Sequence, residues 1–380
     1  MQRLFRQSAA QKTLLFNSKS FRKNSPTRGG NMASEKMLLR EVGENELVRR
    51  IAAWTRPTER SKSVPSWAKW KLLAGIGDDA AVVQARAATP QALTTDMLVE
   101  GTHFFSEHPP EQLGRKAAEV NLSDLASMGA WPAWVLVSLG LPGKLQLDWV
   151  FSFYRGLKKA LAPYSAVCLG GDCVRSEHIV INIATGGYCE GKAPLALRSQ
   201  AKPGQFLYVT ETLGDSGAGL HLLRDSQLAG GTKEREALIR KHQSPRARVF
   251  EGIAIAHHCE GAMMDLSDGL GTDLPRMAAA SACGFEVSLS ALPISSTLKH
   301  LIPALPLKPE EFALWGGEDY ELLFTSSQDE SCWLDKVARA TGKRKTRITR
   351  IGRVVPGDGV RYLDANNRAV CMRNVSFQHY

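Results

Sequence analysis

Residues 111–141 read EQLGRKAAEVNLSDLASMGAWPAWVLVSLGL. The first part predicts a helix over 111–128, stopped by Gly129 and Pro132, and the second is an apolar run, 133–141, closed by Pro132 and Pro142. That run falls well short of the ~20 residues a membrane helix needs, so it predicts a buried strand. A helix feeding directly into a buried strand points to an α/β or α+β domain.

The same alternation extends outward on both sides. Upstream, an amphipathic helix is predicted over 44–54 through Leu47, Val48, Ile51 and Ala52, followed by β-rich runs at 80–83 and 92–95. Downstream lie a helix over 149–161 and strands at 166–169 and 179–185. A Gly/Pro/Lys-rich stretch, 191–204, then separates a second unit that opens on a strand at 206–209. At roughly 150 residues per domain, 380 residues divide into a basic extension (1–36), an N-terminal domain (37–192) and a C-terminal α/β domain (193–380).

The net charge of +10 first reads as an affinity for polyanions, but eight basic side chains and a single acid, Glu35, lie within residues 1–36. The rest carries 40 basic against 37 acidic groups, which argues against a basic DNA-binding globule. The extension reads as a flexible arm or a transit-like leader without the apolar core of a secretory signal. With 43% hydrophobic and 23% charged residues the chain is expected to bury full cores. Seven scattered cysteines with no CxxC pair indicate neither a disulfide scaffold nor a zinc site and fit a reducing cytoplasm.

The chemistry is expected where Gly or small polar residues flank an acid: at Asp78-Asp79, Asp96, Asp124, Asp172, Asp215, Asp265 with Asp268, and Glu318-Asp319. Any one of these alone reads as a turn. Seven together, several of them after apolar strand runs, point to a ligand site at strand ends. Converging carboxylates need cations, and an oxygen-only set without His or Cys favours Mg²⁺, the ion that would in turn hold a polyphosphate. Residues 186–193 match GxxxxGK, but Ala193 stands where a P-loop needs a hydroxyl and Pro194 follows in place of a helix, so this is no P-loop. Protein-kinase motifs and a dinucleotide GxGxxG unit are absent from the sequence. Asp268-Gly269 precedes a helix predicted over 270–280, so Ser267 and Asp268 either cap it or leave its N-terminus open to a phosphate. Arg175 and Arg198, near acidic motifs, either clamp phosphate or are simply solvated.

Taken in order, GIGDDAA (75–81), TTDMLVEGTHF (94–104), NLSDLASMGA (121–130), GGD (170–172), TLGDS (212–216), DLSDGL (265–270) and GGEDYEL (316–322) closely resemble the thiamine-monophosphate kinase family. That family belongs to a superfamily with aminoimidazole ribonucleotide synthetase, selenophosphate synthetase and a hydrogenase-maturation protein. The resemblance runs from about Gly43 to Tyr380. It implies a two-domain α+β fold whose N-terminal α/β domain pairs through its sheet in a homodimer, with the site between the domains. It also implies a cytoplasmic enzyme, without nucleic-acid or membrane partners, that uses ATP and several Mg²⁺ ions. The reaction implied is direct in-line phosphorylation of thiamine monophosphate to thiamine diphosphate, the last step in making that cofactor.

By position, the resemblance implies Mg²⁺ ligands at Asp79, Thr94, Thr95, Asp96, Asp124, Asp172, Asp265 and Asp268, of which Asp96, Asp124, Asp172 and Asp268 carry catalysis. It implies ATP contacts at Gly171, Asp172, Arg198, Ser267 and Tyr154, and substrate contacts at His103, Glu318 and Phe377. Read bottom-up, His103 is either a packed histidine or a donor to substrate phosphate, and Phe377 either stacks on the cationic thiazolium or is a tail aromatic. Phosphoryl transfer needs positioning and charge neutralisation, so no Ser, Cys or Lys nucleophile is required. Three departures stand out: Cys173 where the family has Thr, a long basic linker over 56–71, and the extension itself. Selenophosphate synthetase fails as an alternative because the first cysteine is Cys168, and the cyclo-ligase because the GGEDYEL signature is present. The intact acid set argues against a non-catalytic nucleotide-binding scaffold or an RNA-binding protein.

Overall fold

In the computed structural model, which describes residues 37–374 apart from 43, 56–63, 75–81, 86–88, 191–195, 226, 229–232 and 343–345, two sheets stand on either side of a layer of helices. The first half contains α1 (Leu39–Val42), α2 (Glu44–Thr55), β1 (Trp70–Ala74), β2 (Val82–Ala85), β3 (Gln91–Val99), α3 (Pro110–Ser127), β4 (Trp131–Leu141), α4 (Leu147–Leu161), β5 (Val167–Arg175) and β6 (Val180–Tyr188). Strands β3-β6-β4-β5 form one sheet, with β4 and β5 parallel and the other pairs antiparallel; β1 and β2 make a separate hairpin. The second half contains β7 (Phe206–Thr210), α5 (Asp215–Arg224), α6 (Lys233–Gln243), α7 (Val249–His258), β8 (Met263–Asp265), α8 (Leu270–Ser281) and β9 (Gly284–Ser288). It continues with α9 (Ser296–Leu301), α10 (Pro309–Trp315), β10 (Leu322–Ser326), α11 (Leu334–Ala340), β11 (Ile348–Val355), β12 (Val360–Leu363) and β13 (Ala369–Val370). Among the described residues its sheet runs β13-β12-β9-β11-β7-β10-β8.

Strand periodicity explains how the halves join. In the second sheet Leu207, Val209, Met264, Leu323 and Ile351 point into a core with α5, α8 and α10, whereas Tyr208, Met263, Leu322 and Phe324 point the other way. That second face joins the core of the first half, together with Val249, Ile255 and Trp333. Helix α7 thus serves both halves, and Phe250 sits 5.8 Å from the Trp131 ring.

Helices α3 and α4 cover the inner face of the first sheet and cross at two glycines. A Cβ on Gly114 would lie 1.9 Å from the Phe153 carbonyl oxygen, and one on Gly156 would lie 1.8 Å from that of Glu111. Neither backbone can move without parting the helices. Gly156→Ala is therefore expected to destabilise the protein by about 1–3 kcal/mol, seen as a lowered melting temperature. An unchanged melt would mean that the crossing is looser than this.

Two expectations are corrected. The Gly170-Gly171-Asp172 motif lies inside β5 rather than at its end, because Gly171, at φ 153°, lets the strand run against β4, where a Cβ would sit 1.7 Å from the Val137 oxygen. Thr94-Thr95-Asp96 likewise lies in the middle of β3. Gly186 and Gly187 are paired on both sides within β6, which is no phosphate-binding loop. No described helix is long and apolar enough to cross a membrane.

Candidate active site

Strand β3 and helix α3 build one wall. Alternation turns Thr94 and Asp96 toward α3, where Thr94 Oγ1 donates to Asp124 Oδ2 at 2.6 Å and the Asp96 amide donates to Asn121 Oδ1 at 3.1 Å. Asn121 is oriented in turn by donating its Nδ2 to the Ala117 carbonyl at 3.0 Å. Asn121 and Asp124 are three apart on one helical face, as a pair aimed at a single strand must be.

The second half supplies the other wall from two loops. Asp265, 2% exposed at the end of β8, accepts a 2.7 Å hydrogen bond from Ser123 Oγ, across from α3. Asp268 pairs with Arg276 at 2.6 Å, and its amide donates to the buried Asp273 at 2.9 Å. Helix α8 begins at Gly269 without a side-chain cap, so the plain capping reading of Ser267 and Asp268 does not hold. Residues 316–321 lie against this loop: the amides of Glu318 and Tyr320 donate to the carbonyls of Ser267 and Leu266 at 2.7 and 2.9 Å.

Every ionisable side chain of the Glu318-Asp319-Tyr320-Glu321 run has a separate destination. Glu318 pairs with Lys116 at 2.9 Å and His242 at 3.0 Å. Asp319 accepts from the amides of Gly214 and Ser216 at the start of α5, at 2.8 and 3.4 Å. Tyr320 is buried, and its hydroxyl is pushed well up by that burial and by Glu318, Asp96, Asp265 and Asp124 around it. Glu321 forms a bidentate pair with Arg248 at 2.6 and 2.5 Å.

Electrostatics mark the acids as a cluster. Burial, then the charges of Asp124 and Asp268, push Asp96 up to about 6. Burial and then Asp124 push Asp265 up to about 7, and burial and then Asp268 push Asp273 up to about 6. Asp124 is raised by burial, with Thr94 and Arg198 acting in the opposite sense. Buried carboxylates that resist ionisation in each other's company form a site that favours cations. At Glu318 burial acts upward, but Lys116 and His242 outweigh it and hold the carboxyl well below its usual range.

The structure divides the expected residues. Thr94, Asp96, Asp124, Asp265 and Asp268 come together, with Arg198 close enough to influence Asp124, Asp265 and Asp273. Thr95 and Asp172 do not join them: both face the outer side of the sheet, where Thr95 Oγ1 donates to Asn182 at 3.1 Å and the register sets Asp172 opposite Ser138. Period-two alternation sends neighbouring residues of one strand to opposite faces. Asp172 opens instead on a cleft of about 1180 Å³ lined by Arg40, Lys144, Arg175 and Glu177. Tyr154, 4% exposed and close to Cys168 and Cys173, packs the core beneath β5 and offers almost no surface to a nucleotide. His103 Nδ1 accepts from the Val99 amide at 3.1 Å, which leaves the ring proton on Nε2. Asp79 and Phe377 lie outside the described residues.

Sequence reasoning missed Lys116, Asn121, Ser123, His242 and Asp273. For Lys116 a signal existed, a lysine in the run Lys116-Ala117-Ala118-Glu119-Val120 of a helix bound for burial; His242 offered none.

Residues 77–189 match the AIR synthase related protein, N-terminal domain, and residues 202–364 match the AIR synthase related protein, C-terminal domain. The chain is similar to the thiamine-monophosphate kinase of Buchnera aphidicola subsp. Schizaphis graminum, 37% identical over 309 residues that cover 80% of this chain and 92% of that protein. Among solved structures it resembles thiamine-monophosphate kinase from Stenotrophomonas maltophilia K279a, with TM-score 0.72 and 33% identity over 85% of this chain and 96% of that one. It also resembles AaThiL complexed with AMPPCP and TMP, with TM-score 0.66 and 33% identity over 88% of this chain and 96% of that one.

Proposed function

The chain belongs to the AIR synthase related protein family and, within it, to the thiamine-monophosphate kinases, and on that premise we infer that it transfers the γ-phosphoryl group of ATP to thiamine monophosphate, giving thiamine diphosphate and ADP. The observation that carries this reading is the acid cluster at the junction of the two halves, with Asp96 and Asp124 from one and Asp265 and Asp268 from the other. Two anionic phosphates must be brought together there, and the acceptor is already anionic enough to need no strong base.

The donor set suits Mg²⁺: it is oxygen-only, mutually repelling and partly buried. Among the described residues no three His, Cys, Asp or Glu side chains already form a cage. Mg²⁺ bound there would complete its shell with phosphate oxygens and water. Asp96, Asp124, Asp265 and Asp268 would hold it, with Thr94 orienting Asp124, and the ion supplies charge neutralisation for the phosphates. Ser267 and the uncapped start of α8 offer N–H groups to phosphate, and Arg198 adds a cation. His103, with its proton on Nε2, donates to the phosphate of the acceptor, and Glu318 provides an anion for the cationic thiazolium.

Asp172 is assigned to ATP in the cleft that it lines with Arg40, Lys144 and Arg175, which suit an anionic ligand, and Gly171 is assigned to ATP by its place in the motif alone. The same outer face exposes Leu93 (67%), Met97 (53%) and Val174 (57%), an apolar strip that favours pairing with a second copy. A homodimer through it would set Thr95 and Asp172 at the subunit junction. The buried thiols Cys168, Cys189, Cys259 and Cys283, outside any disulfide, accord with a cytoplasmic enzyme.

Purified protein with MgATP is expected to release ADP in proportion to added thiamine monophosphate, with thiamine diphosphate as co-product. ADP formed without that dependence, or no ADP at all, would overturn the assignment.

A further inference from the structure

Lys116 has no exposed surface, on a helix that buries mainly small and apolar residues and only one other charged side chain, Glu119. Such a charge persists only where it is paired. Its ammonium stands 2.9 and 3.1 Å from the two oxygens of Glu318 and within 3.5 Å of the His103 carbonyl. One group from α3 thus grips both described residues assigned to the acceptor substrate, one from each half of the molecule. The buried His242 meets the same carboxylate, 3.0 Å from Glu318 Oε2 and 3.3 Å from Ser216 Oγ.

The backbone does not hold Glu318 in place by its own preference. Gly317, Glu318 and Tyr320 all have positive φ, at 64°, 55° and 52°, and for the two non-glycine residues that conformation is unfavourable unless the surroundings enforce it. The Lys116 and His242 contacts are such an enforcement. We propose that Lys116, with His242 as its counterpart, is the positioning residue of the acceptor half of the site: it fixes the Glu318 carboxylate and the His103 loop relative to each other, and so sets how thiamine monophosphate is held. This rests on the kinase reading above. Lys116 acts through the Glu318 carboxylate and the His103 loop, whereas Ser267, which is assigned to the nucleotide, meets Glu318 through the main chain, its carbonyl accepting from the Glu318 amide at 2.7 Å, so the two substrates respond differently when Lys116 is lost.

The test uses the full chain and compares wild type with Lys116→Met, Glu318→Gln, His242→Gln and the double variant Lys116→Met/Glu318→Gln. Each substrate is varied at saturating concentration of the other, and folding is followed by thermal melts. Lys116→Met is expected to raise KM for thiamine monophosphate about tenfold or more while KM for MgATP stays within about twofold. The double variant should be no worse than the worse single one, because both substitutions break the same contact. Equal rises in both KM values, an unchanged KM for thiamine monophosphate in folded protein, or strict additivity would each overturn the proposal. If Lys116→Met does not fold, Glu318→Gln and His242→Gln decide by the same criterion, a rise confined to thiamine monophosphate supporting the proposal and any other pattern overturning it. Wild-type protein without acceptor-dependent turnover would sink the kinase reading itself, whereas active wild type with an indifferent Lys116→Met sinks only this inference.

Discussion

Asp96→Asn lowers the turnover of thiamine monophosphate by about 10³-fold, and the ligand-free protein melts no earlier than wild type. The two halves of this expectation have one cause. Asp96 is pushed up to about 6 by burial and by Asp124 and Asp268, so its negative charge is a burden on the ligand-free fold. Asparagine keeps the shape and removes that charge. With phosphates present the same charge is what the site needs, and losing one preorganised electrostatic contact of this kind costs on the order of 10²–10³ in rate. Steady-state rates across an Mg²⁺ titration, with a melt in the absence of ligand, measure both. A near-normal rate at saturating Mg²⁺ would show that the cluster does not do this work, and a collapsed melt would show that Asp96 is chiefly structural. Asp124→Asn should behave alike, with a larger structural cost because Thr94 Oγ1 loses a charged acceptor at 2.6 Å.

Arg248→Met carries the largest expected loss of stability. Arg248 and Glu321 have side chains 8% and 4% exposed and meet through two hydrogen bonds of 2.6 and 2.5 Å. Glu321 also accepts from Thr210 Oγ1 at 2.6 Å, so the pair ties the start of α7 to β7 and β10. Removing the guanidinium leaves a buried carboxylate without its cation, a cost of about 3–5 kcal/mol that should lower the melting temperature by roughly 10 °C. The double variant Arg248→Met/Glu321→Leu should recover most of that loss, because the penalty belongs to the stranded charge rather than to the absence of the pair. A single variant that melts within a degree or two of wild type, or a double variant as unstable as the single, would contradict this account.

Much of the architecture was legible because it rests on short-range rules. The helix expected over 111–128 and the strand after it appear as α3 and β4, and the helix expected over 270–280 appears as α8. The apolar periods that announced them report burial on a nearby face. Strand β5 runs past its expected end because Gly170-Gly171-Asp172, though made of turn residues, meets at Gly171 a backbone from another strand, 1.7 Å from where its Cβ would stand. Local composition cannot report an atom supplied by a distant segment.

The candidate site follows the same division. The sequence by itself determined the chemistry: an oxygen-only acid set, recurring in one order, with no cysteine or lysine nucleophile required and no P-loop. Only the tertiary structure decided which acids keep company. Pleating sends Thr94 and Asp96 toward α3 and Thr95 outward, so residues adjacent in sequence part, and the register places Asp172 on the outer side with Thr95. Conversely, Lys116 and Glu318, 202 positions apart, meet through both carboxylate oxygens. A charge tolerated in the interior depends on its partner, and that partner is chosen by how two sheets and their helices pack, which no local pattern of residues encodes.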